Sequence, residues 1–363
     1  MDLSAFGWDD VFEESFKEFQ EKQLLPARVT EANRLFYRLV SGKGEINGKL
    51  SDKFRENCHS KEDYPTVGDW VAYRPTEYGF VQIQGLVKRK SKFSRKVAGV
   101  ASEEQVIAAN IDTIFIVSGL DRDFSMRRLE RYVVLAADSN AELVFILNKA
   151  DLRKDVERII SEIMGLFKDV PVYALSALNN NGLEQLARYI SPGKTMVFLG
   201  SSGTGKSTII NRLLGVDKQK TGAVSAYDGK GRHITSSRNL IVLPDGAIVI
   251  DTPGLRELQL LGNGVGLKNA FSDIGSFAEK CEYANCTHTN EPGCAVLEAV
   301  NSGAIPVERL KNFLKLKREI AYNLSRHEEK IKNKRSKRWK TISKQARRIK
   351  KSRENAGDEY LGI

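Results

Sequence analysis

The stretch Met196-Val197-Phe198-Leu199-Gly200-Ser201-Ser202-Gly203-Thr204-Gly205-Lys206-Ser207-Thr208 decides the fold. A short apolar run of strand length ends at Gly200, and a helix-period run from Thr208 to Leu214 begins where the glycines stop. Strand, glycine-rich turn and helix, with a Lys-Ser pair opening the helix, spell a phosphate-binding loop. The glycines let successive N–H groups curl around phosphate oxygens, and the helix N-terminus behind them adds a favourable dipole. In this reading Gly200, Ser201, Ser202, Gly203, Thr204, Gly205 and Thr208 shape the cradle. Lys206 reaches the β- and γ-phosphates, and the Ser207 hydroxyl holds Mg²⁺. Outward from the loop, apolar runs at Thr113 to Val117, Leu143 to Leu147, Pro171 to Ala174 and Ala247 to Ile250 alternate with helical stretches such as Met126 to Ala137. That alternation predicts an α/β domain around a largely parallel sheet.

A phosphate loop serves adenine and guanine nucleotides alike, so base choice must be written elsewhere. Asn148-Lys149-Ala150-Asp151 directly follows the run Leu143 to Leu147, where α/β folds place their ligand loops. The Asp151 carboxylate can accept hydrogen bonds from N1–H and the 2-amino group of guanine. Adenine lacks those donors, and a site built around such a bond rejects the wrong ligand by roughly 10⁴. Asn148 supports the loop and the base edge, and the Lys149 stem covers the ring face. Ser176-Ala177, after the next strand, matches the turn whose backbone N–H meets the guanine O6. Asp251-Thr252-Pro253-Gly254 follows the run Ala247 to Ile250. Asp251 organises Mg²⁺ through water, the Gly254 N–H senses the γ-phosphate, and Thr235 is the candidate switch ligand for Mg²⁺. The spelling therefore predicts a GTP-binding, GTP-hydrolysing domain with its motifs circularly permuted: Asn148 to Asp151 and Ser176-Ala177 precede the phosphate loop, and Asp251 comes last. Such a rearrangement preserves the site in space, because the chain is cut and rejoined at surface loops.

On either side of this domain the composition changes. Short β-rich runs at Ala27 to Glu31, Arg34 to Val40, Glu45 to Leu50, Asp69 to Tyr73 and Phe80 to Leu86 predict a small barrel, with Asn47-Gly48 and Gly68-Asp69 as turns. Five strands fit an OB-fold, which commonly carries RNA, although an SH3-like barrel has the same pattern. Before it, Phe6, Trp8, Phe12, Phe16 and Phe19 interleave with acidic residues and predict a short amphipathic helix, not a signal peptide. After Leu261 the strand pattern stops. Cys281-x4-Cys286-x-His288-x5-Cys294 then offers three thiols and an imidazole, a donor set suited to a closed, structural Zn²⁺ site. In a region with few apolar residues, such a metal can replace a missing core. Cys58 is left over as a buried thiol. The net charge of +11 is unevenly spread: between Lys311 and Arg353 eighteen Lys or Arg stand against three Glu, a local +15, which leaves the rest of the chain at −4. A basic end on an acidic body points to a polyanion, because cations that neutralise phosphates release counterions. A second basic group, Lys88, Arg89, Lys90, Lys92, Arg95 and Lys96 around Phe93, points the same way.

The expected organisation is an amphipathic extension over 1–23, an OB-fold RNA-binding domain over 24–110, the permuted P-loop GTPase domain over 111–262, a zinc-binding α-helical domain over 263–329 and a basic tail over 330–363. No apolar run approaches the roughly 18 residues of a membrane span. We therefore expect a monomeric cytoplasmic protein. From Leu24 to Leu324 the chain resembles the ribosome small-subunit-dependent GTPase A proteins of bacteria. The resemblance is carried by Val67-Gly68-Asp69-Trp70-Val71, the permuted motifs, Gly231-Arg232-His233 and the Cys/His spacing. It implies an OB-fold, a GTPase domain and a zinc domain, rRNA as partner, and activity stimulated by the 30S subunit during its late maturation. Leu255 stands where many small GTPases carry a water-positioning Gln, and the resemblance points to His233 as its replacement. The chain departs from the family at Ile234, where a Thr is usual, which leaves Thr235 as the Mg²⁺ candidate and Ser236 as fallback. Two other readings are an RNA-binding or scaffolding protein that holds GTP as a structural switch with negligible turnover, and a zinc protein with the same GTPase engine directed at tRNA or DNA.

Overall fold

The computed structural model describes residues 2–33, 36–77, 79–96, 104–215, 239–251 and 264–325. Alternation builds the first layer. β1 (Leu25–Ala32), β2 (Tyr37–Ser41), β3 (Gly44–Leu50), β4 (Trp70–Pro75) and β5 (Val81–Leu86) each place every second side chain inward. The pairs Ala27 and Val29, Tyr37 and Leu39, Val71 and Tyr73, and Val81 and Ile83 form one buried cluster. The strands run in the order β1-β2-β3-β5-β4 and close through β4 onto β1, with β3 and β5 parallel and the other pairs antiparallel. This is the five-stranded barrel expected of an OB-fold. One turn differs from expectation: Asn47 and Gly48 lie inside β3, and the hairpin is made at Gly42 and Lys43, next to the closing pair Ser41 and Gly44. There the Ser41 hydroxyl accepts from the Lys43 N–H and donates to the Gly44 carbonyl, which fixes a tight turn ahead of the Asn-Gly pair.

The N-terminal segment belongs to the barrel. α1 (Asp10–Gln20) begins at Asp9, whose carboxylate accepts from the Val11 and Phe12 N–H groups. Its Phe12, Phe16 and Phe19 are buried with Trp70, Ala72 and Val87 on the outer face of the barrel, and Trp8 meets Trp70 edge to face at 4.7 Å. A short helix, α2 (Asp52–Asn57), follows β3, and Cys58 at its end is half-buried with its thiol donating to the Phe54 carbonyl.

After a hairpin of β6 (Lys92–Lys96) and β7 (Glu104–Ala109), the chain enters the second layer. Its elements are β8 (Thr113–Gly119), α3 (Met126–Ala136), β9 (Glu142–Asn148), α4 (Val156–Leu166), β10 (Val172–Ala174), β11 (Thr195–Leu199), α5 (Lys206–Leu213), β12 (Asn239–Val242) and β13 (Ile248–Asp251). The spatial order is β10-β9-β8-β11-β13-β12, all parallel except β12, an antiparallel strand that the sequence pattern does not announce. Although β11 comes fourth among the parallel strands in the chain, it sits at the centre, between β8 and β13. That displacement is the permutation seen as topology. Barrel and sheet meet where β1 pairs with β12 and where Arg28, fully buried, donates to the carbonyls of Gly68, Asn110 and Phe6 and to the Thr195 hydroxyl.

The third part consists of α6 (Val265–Ala270), α7 (Ser272–Ala278), α8 (Ala295–Asn301) and a helix over residues 307–325. The expectation of a region with few apolar residues, where a metal can replace a missing core, needs correction. Phe271, Ile274, Cys286, Cys294, Val296, Ile305, Leu310, Leu316 and Ile320 join Leu129, Val133 and Val134 of α3 in a single buried cluster with one face of the sheet. The apolar spacing in the helix over 307–325 supplies what composition alone conceals. None of the described helices is long and apolar enough to cross a membrane.

Candidate functional site

All the described motif residues lie at the carboxyl ends of parallel strands. The phosphate loop follows β11, Asn148 ends β9, Ser176 lies just beyond β10, and Asp251 ends β13. In an open parallel sheet this edge is where ligands bind. The loop has the backbone its glycines permit: Gly200, Gly203 and Gly205 have φ of 154°, 82° and 93°. A side chain at Gly205 would place its Cβ 2.1 Å from the Asn148 Nδ2, so the close approach demands glycine as well as the φ. Lys206 donates to the Gly200 carbonyl at 2.8 Å and to the Ser201 carbonyl at 2.6 Å, which folds its ammonium over the loop. Burial pulls that ammonium down to about 8 against the opposing pull of Asp251, and burial likewise pushes the Asp251 carboxyl up against Lys206. A phosphate brought against Lys206 offsets this desolvation directly.

Asn148 joins the motifs. Its Nδ2 donates to the Thr204 carbonyl of the phosphate loop at 2.8 Å, and its Oδ1 accepts from the Ala177 N–H at 3.0 Å. The side chain is buried, so both bonds are made out of competition with water. One amide thus holds the phosphate loop and the Ser176-Ala177 turn in fixed relation. Lys149 takes a left-handed backbone, φ 65°, and its ammonium pairs with Asp121 at 2.6 Å. Asp151 follows in the 3-10 turn Ala150–Leu152 and is exposed beside it. Two residues here escape sequence reading. Asp121, just beyond β8, fixes Lys149, and Tyr132 of α3 brings its hydroxyl to 3.4 Å from the Ser201 Oγ. The position of Asp121 beyond a strand's carboxyl end is a signal that could have found it; Tyr132 has none. His233, Thr235 and Gly254 lie outside the described residues, as does the basic tail over 330–363.

Far along the chain Cys281, Cys286, His288 and Cys294 converge with their ligand atoms within 4.8 Å of one another. Cys281 Sγ is 3.7 Å from His288 Nδ1 and 4.0 Å from Cys294 Sγ, and Cys294 Sγ is 3.6 Å from His288 Nδ1. Ligands on a tetrahedral ion with metal–sulfur bonds near 2.3 Å lie roughly 3.8 Å apart, close to the separations among Cys281, His288 and Cys294, so the cluster could hold a metal ion. Glu291 organises the loop from outside, accepting from the N–H groups of Thr287, Thr289 and Asn290 while His288 turns through φ 60°. Burial, with Lys317 acting in the same sense, holds the imidazole below its ordinary value and so keeps it in the neutral, ligating form.

The basic group at 88–96 corrects an expectation. Arg89 makes a two-pronged pair with the buried Asp69, Lys90 pairs with Asp9, and Lys92 pairs with Glu62 and Glu104. Phe93 is fully buried. Three of the six cations therefore hold the barrel, hairpin and N-terminal segment together instead of forming an open patch, while Lys88 is exposed.

The comparisons agree with this architecture. The family model for the RsgA GTPase matches residues 86–261. The chain is 41% identical over 352 residues to the small ribosomal subunit biogenesis GTPase RsgA of Opitutus terrae, covering 94% of this chain and 96% of that one. It is 39% identical over 346 residues to the protein of the same name from Methanosarcina acetivorans, covering 95% and 92% of the two chains. Among solved structures, YjeQ from Thermotoga maritima superposes with a TM-score of 0.60 at 27% identity, covering 82% of this chain and 99% of that one. YloQ, a circularly permuted GTPase, gives a TM-score of 0.56 at 23% identity, covering 82% and 95%, and so supports the fold. The sequence is thus shared with relatives matched along nearly their whole length, and the chain belongs to the RsgA GTPase family.

Proposed function

We propose that this protein hydrolyses GTP to GDP and phosphate on the small ribosomal subunit and assists that subunit's late maturation. The observation that carries the reading is the Asn148 bridge, which makes the phosphate loop and the two base elements one continuous site. In this reading Asp151 selects guanine, and Lys206 neutralises the β- and γ-phosphate oxygens. Ser207, Thr235 and Asp251 are the residues that would hold Mg²⁺, which draws charge from the phosphoryl oxygens. The Gly254 N–H senses the γ-phosphate, and His233 positions the attacking water in place of the Gln that Leu255 displaces. Zinc is the metal best suited to three thiolates and one imidazole, and its role is structural, since four protein ligands leave no open position. The basic C-terminal region meets rRNA phosphates, and the protein works as a cytoplasmic monomer. The name of these relatives, small ribosomal subunit biogenesis GTPase, supports the ribosomal assignment.

Two measurements test it. Purified 30S subunits should raise steady-state phosphate release, and a rate indifferent to them overturns the ribosomal assignment. His233→Ala should slow hydrolysis by roughly 10-fold or more while GTP affinity stays near normal, the signature of a group acting in the transition state. A parallel loss of binding and rate makes His233 structural.

A further inference from the structure

The guanine-recognition turn is held from beneath by a residue of the phosphate-loop helix. Arg212, in the last turn of α5, donates from Nε to the Ala177 carbonyl at 3.1 Å and from Nη2 to the Leu178 carbonyl at 3.0 Å. Two successive carbonyls are thereby drawn toward one planar, permanently charged fork. In a trans peptide the C=O and the following N–H point in opposite directions. With the Ala177 carbonyl turned to Arg212, the Leu178 N–H is turned to the side away from α5. The neighbouring amides are already engaged. The Ala177 N–H donates to Asn148 Oδ1, the Ser176 N–H to the Asn181 carbonyl, and the Asn179 N–H to the Ser176 Oγ. The Leu178 N–H makes no bond to another described residue, and its side chain is 73% exposed.

We propose that Arg212 is a positioning and specificity-determining residue: it orients the Leu178 N–H as the donor to the guanine O6. This deepens, and rests on, the assignment of Asp151 and the Ser176-Ala177 turn as the base site. It also moves the O6 contact one residue beyond the one that the motif spelling names, because the Ala177 N–H is spent on Asn148. Adenine carries an amino group at the O6 position, so a fixed N–H there repels it while welcoming guanine. The same helix then serves both ends of the nucleotide. Lys206 and Ser207 stand at its start and Arg212 six residues on, about 9 Å along the axis at 1.5 Å per residue.

The test uses the full chain and two probes, GDP and 2-aminopurine riboside diphosphate, which keeps the 2-amino group and the phosphates but has neither O6 nor N1–H; since Asp151 is the same in every Arg212 variant, the change in preference on substitution reads the O6 contact. Wild-type protein should prefer GDP. Arg212→Met keeps the length of the side chain and removes its donors; it should weaken GDP by about 10-fold and leave the 2-aminopurine nucleotide within about 2-fold, so that the preference collapses. Arg212→Lys, which can hold one carbonyl, should give an intermediate preference, and serves as the readout if the Met variant does not fold. A merely structural arginine would lower both affinities together, and either that result or an unchanged preference overturns the proposal. Asp151→Asn is measured alongside, against GDP and xanthosine diphosphate. If it fails to shift preference toward xanthine, the base-site assignment itself fails; if it shifts while Arg212→Met does not, only the role of Arg212 falls.

Discussion

At the scale of single residues, the site depends on a few contacts that leave no slack. Gly205 is the sharpest case, since its φ of 93° and the 2.1 Å approach to Asn148 both exclude a side chain. Gly205→Ala should force the loop away from Asn148 and reduce GDP affinity by about 100-fold or more, while strain of about 1–3 kcal/mol leaves the protein folded. A fluorescence titration with GDP beside a thermal melt checks this; unaltered affinity means that the turn can open at no expense. The identity of Asn148 was legible from the spelling Asn-Lys-x-Asp. Its two partners were not, because Thr204 and Ala177 lie 56 and 29 positions away and reach it only when β9, β10 and β11 line up.

At the scale of elements, α3 joins the GTPase layer to the C-terminal helices. Glu130 and Arg309 are almost fully buried and pair at 2.8 Å, with Arg309 also reaching Asp273 at 2.6 and 2.7 Å and the Ala270 carbonyl at 2.9 Å. Asn312 donates to the second Glu130 oxygen. Removing one partner strands a buried charge, so Arg309→Met should lower stability by about 3–5 kcal/mol. By contrast, Arg127→Ala, which breaks an exposed pair with Glu308, should change it by less than about 1 kcal/mol. Denaturant unfolding of both variants decides: similar midpoints for the two would deny Arg309 its buried role. The helix α3 itself was readable from apolar spacing. That a glutamate faces the core was not, since its partner is 179 residues away and periodicity ranks Glu as surface.

For the whole molecule, the shared core implies that the Cys/His cluster and the nucleotide domain are mechanically continuous. Removing the metal with a chelator, or by Cys286→Ser, should lower amide protection across residues 265–325 and also in α3, with about one zinc per chain in untreated protein. Loss confined to the cluster loop would show that the shared core does not depend on the metal. The charge distribution gives a further test. With Arg89, Lys90 and Lys92 engaged in internal pairs, the C-terminal basic run carries most of the expected phosphate contacts. A chain ending near Glu329 should bind 30S subunits with a visibly flatter dependence on salt, while GTP turnover without ribosomes hardly changes. Equal slopes in a salt series would assign the tail to solvent.

The sequence by itself determined the chemistry and the permuted architecture. Gly200 to Ser207, Asn148 to Asp151 and Cys281 to Cys294 are local spellings, and strand alternation repeats every two residues, so neighbours in the chain suffice to read them. Only the tertiary structure decided which cations are spent internally, where the barrel's hairpin turns, that the N-terminal aromatics cover Trp70, and that the C-terminal helices close on α3. The hairpin is settled by the competition of two neighbouring turn sequences, which the Ser41 contacts decide. The other three depend on a partner distant in sequence, and a charge or an aromatic side chain has no fixed role until burial selects what it faces.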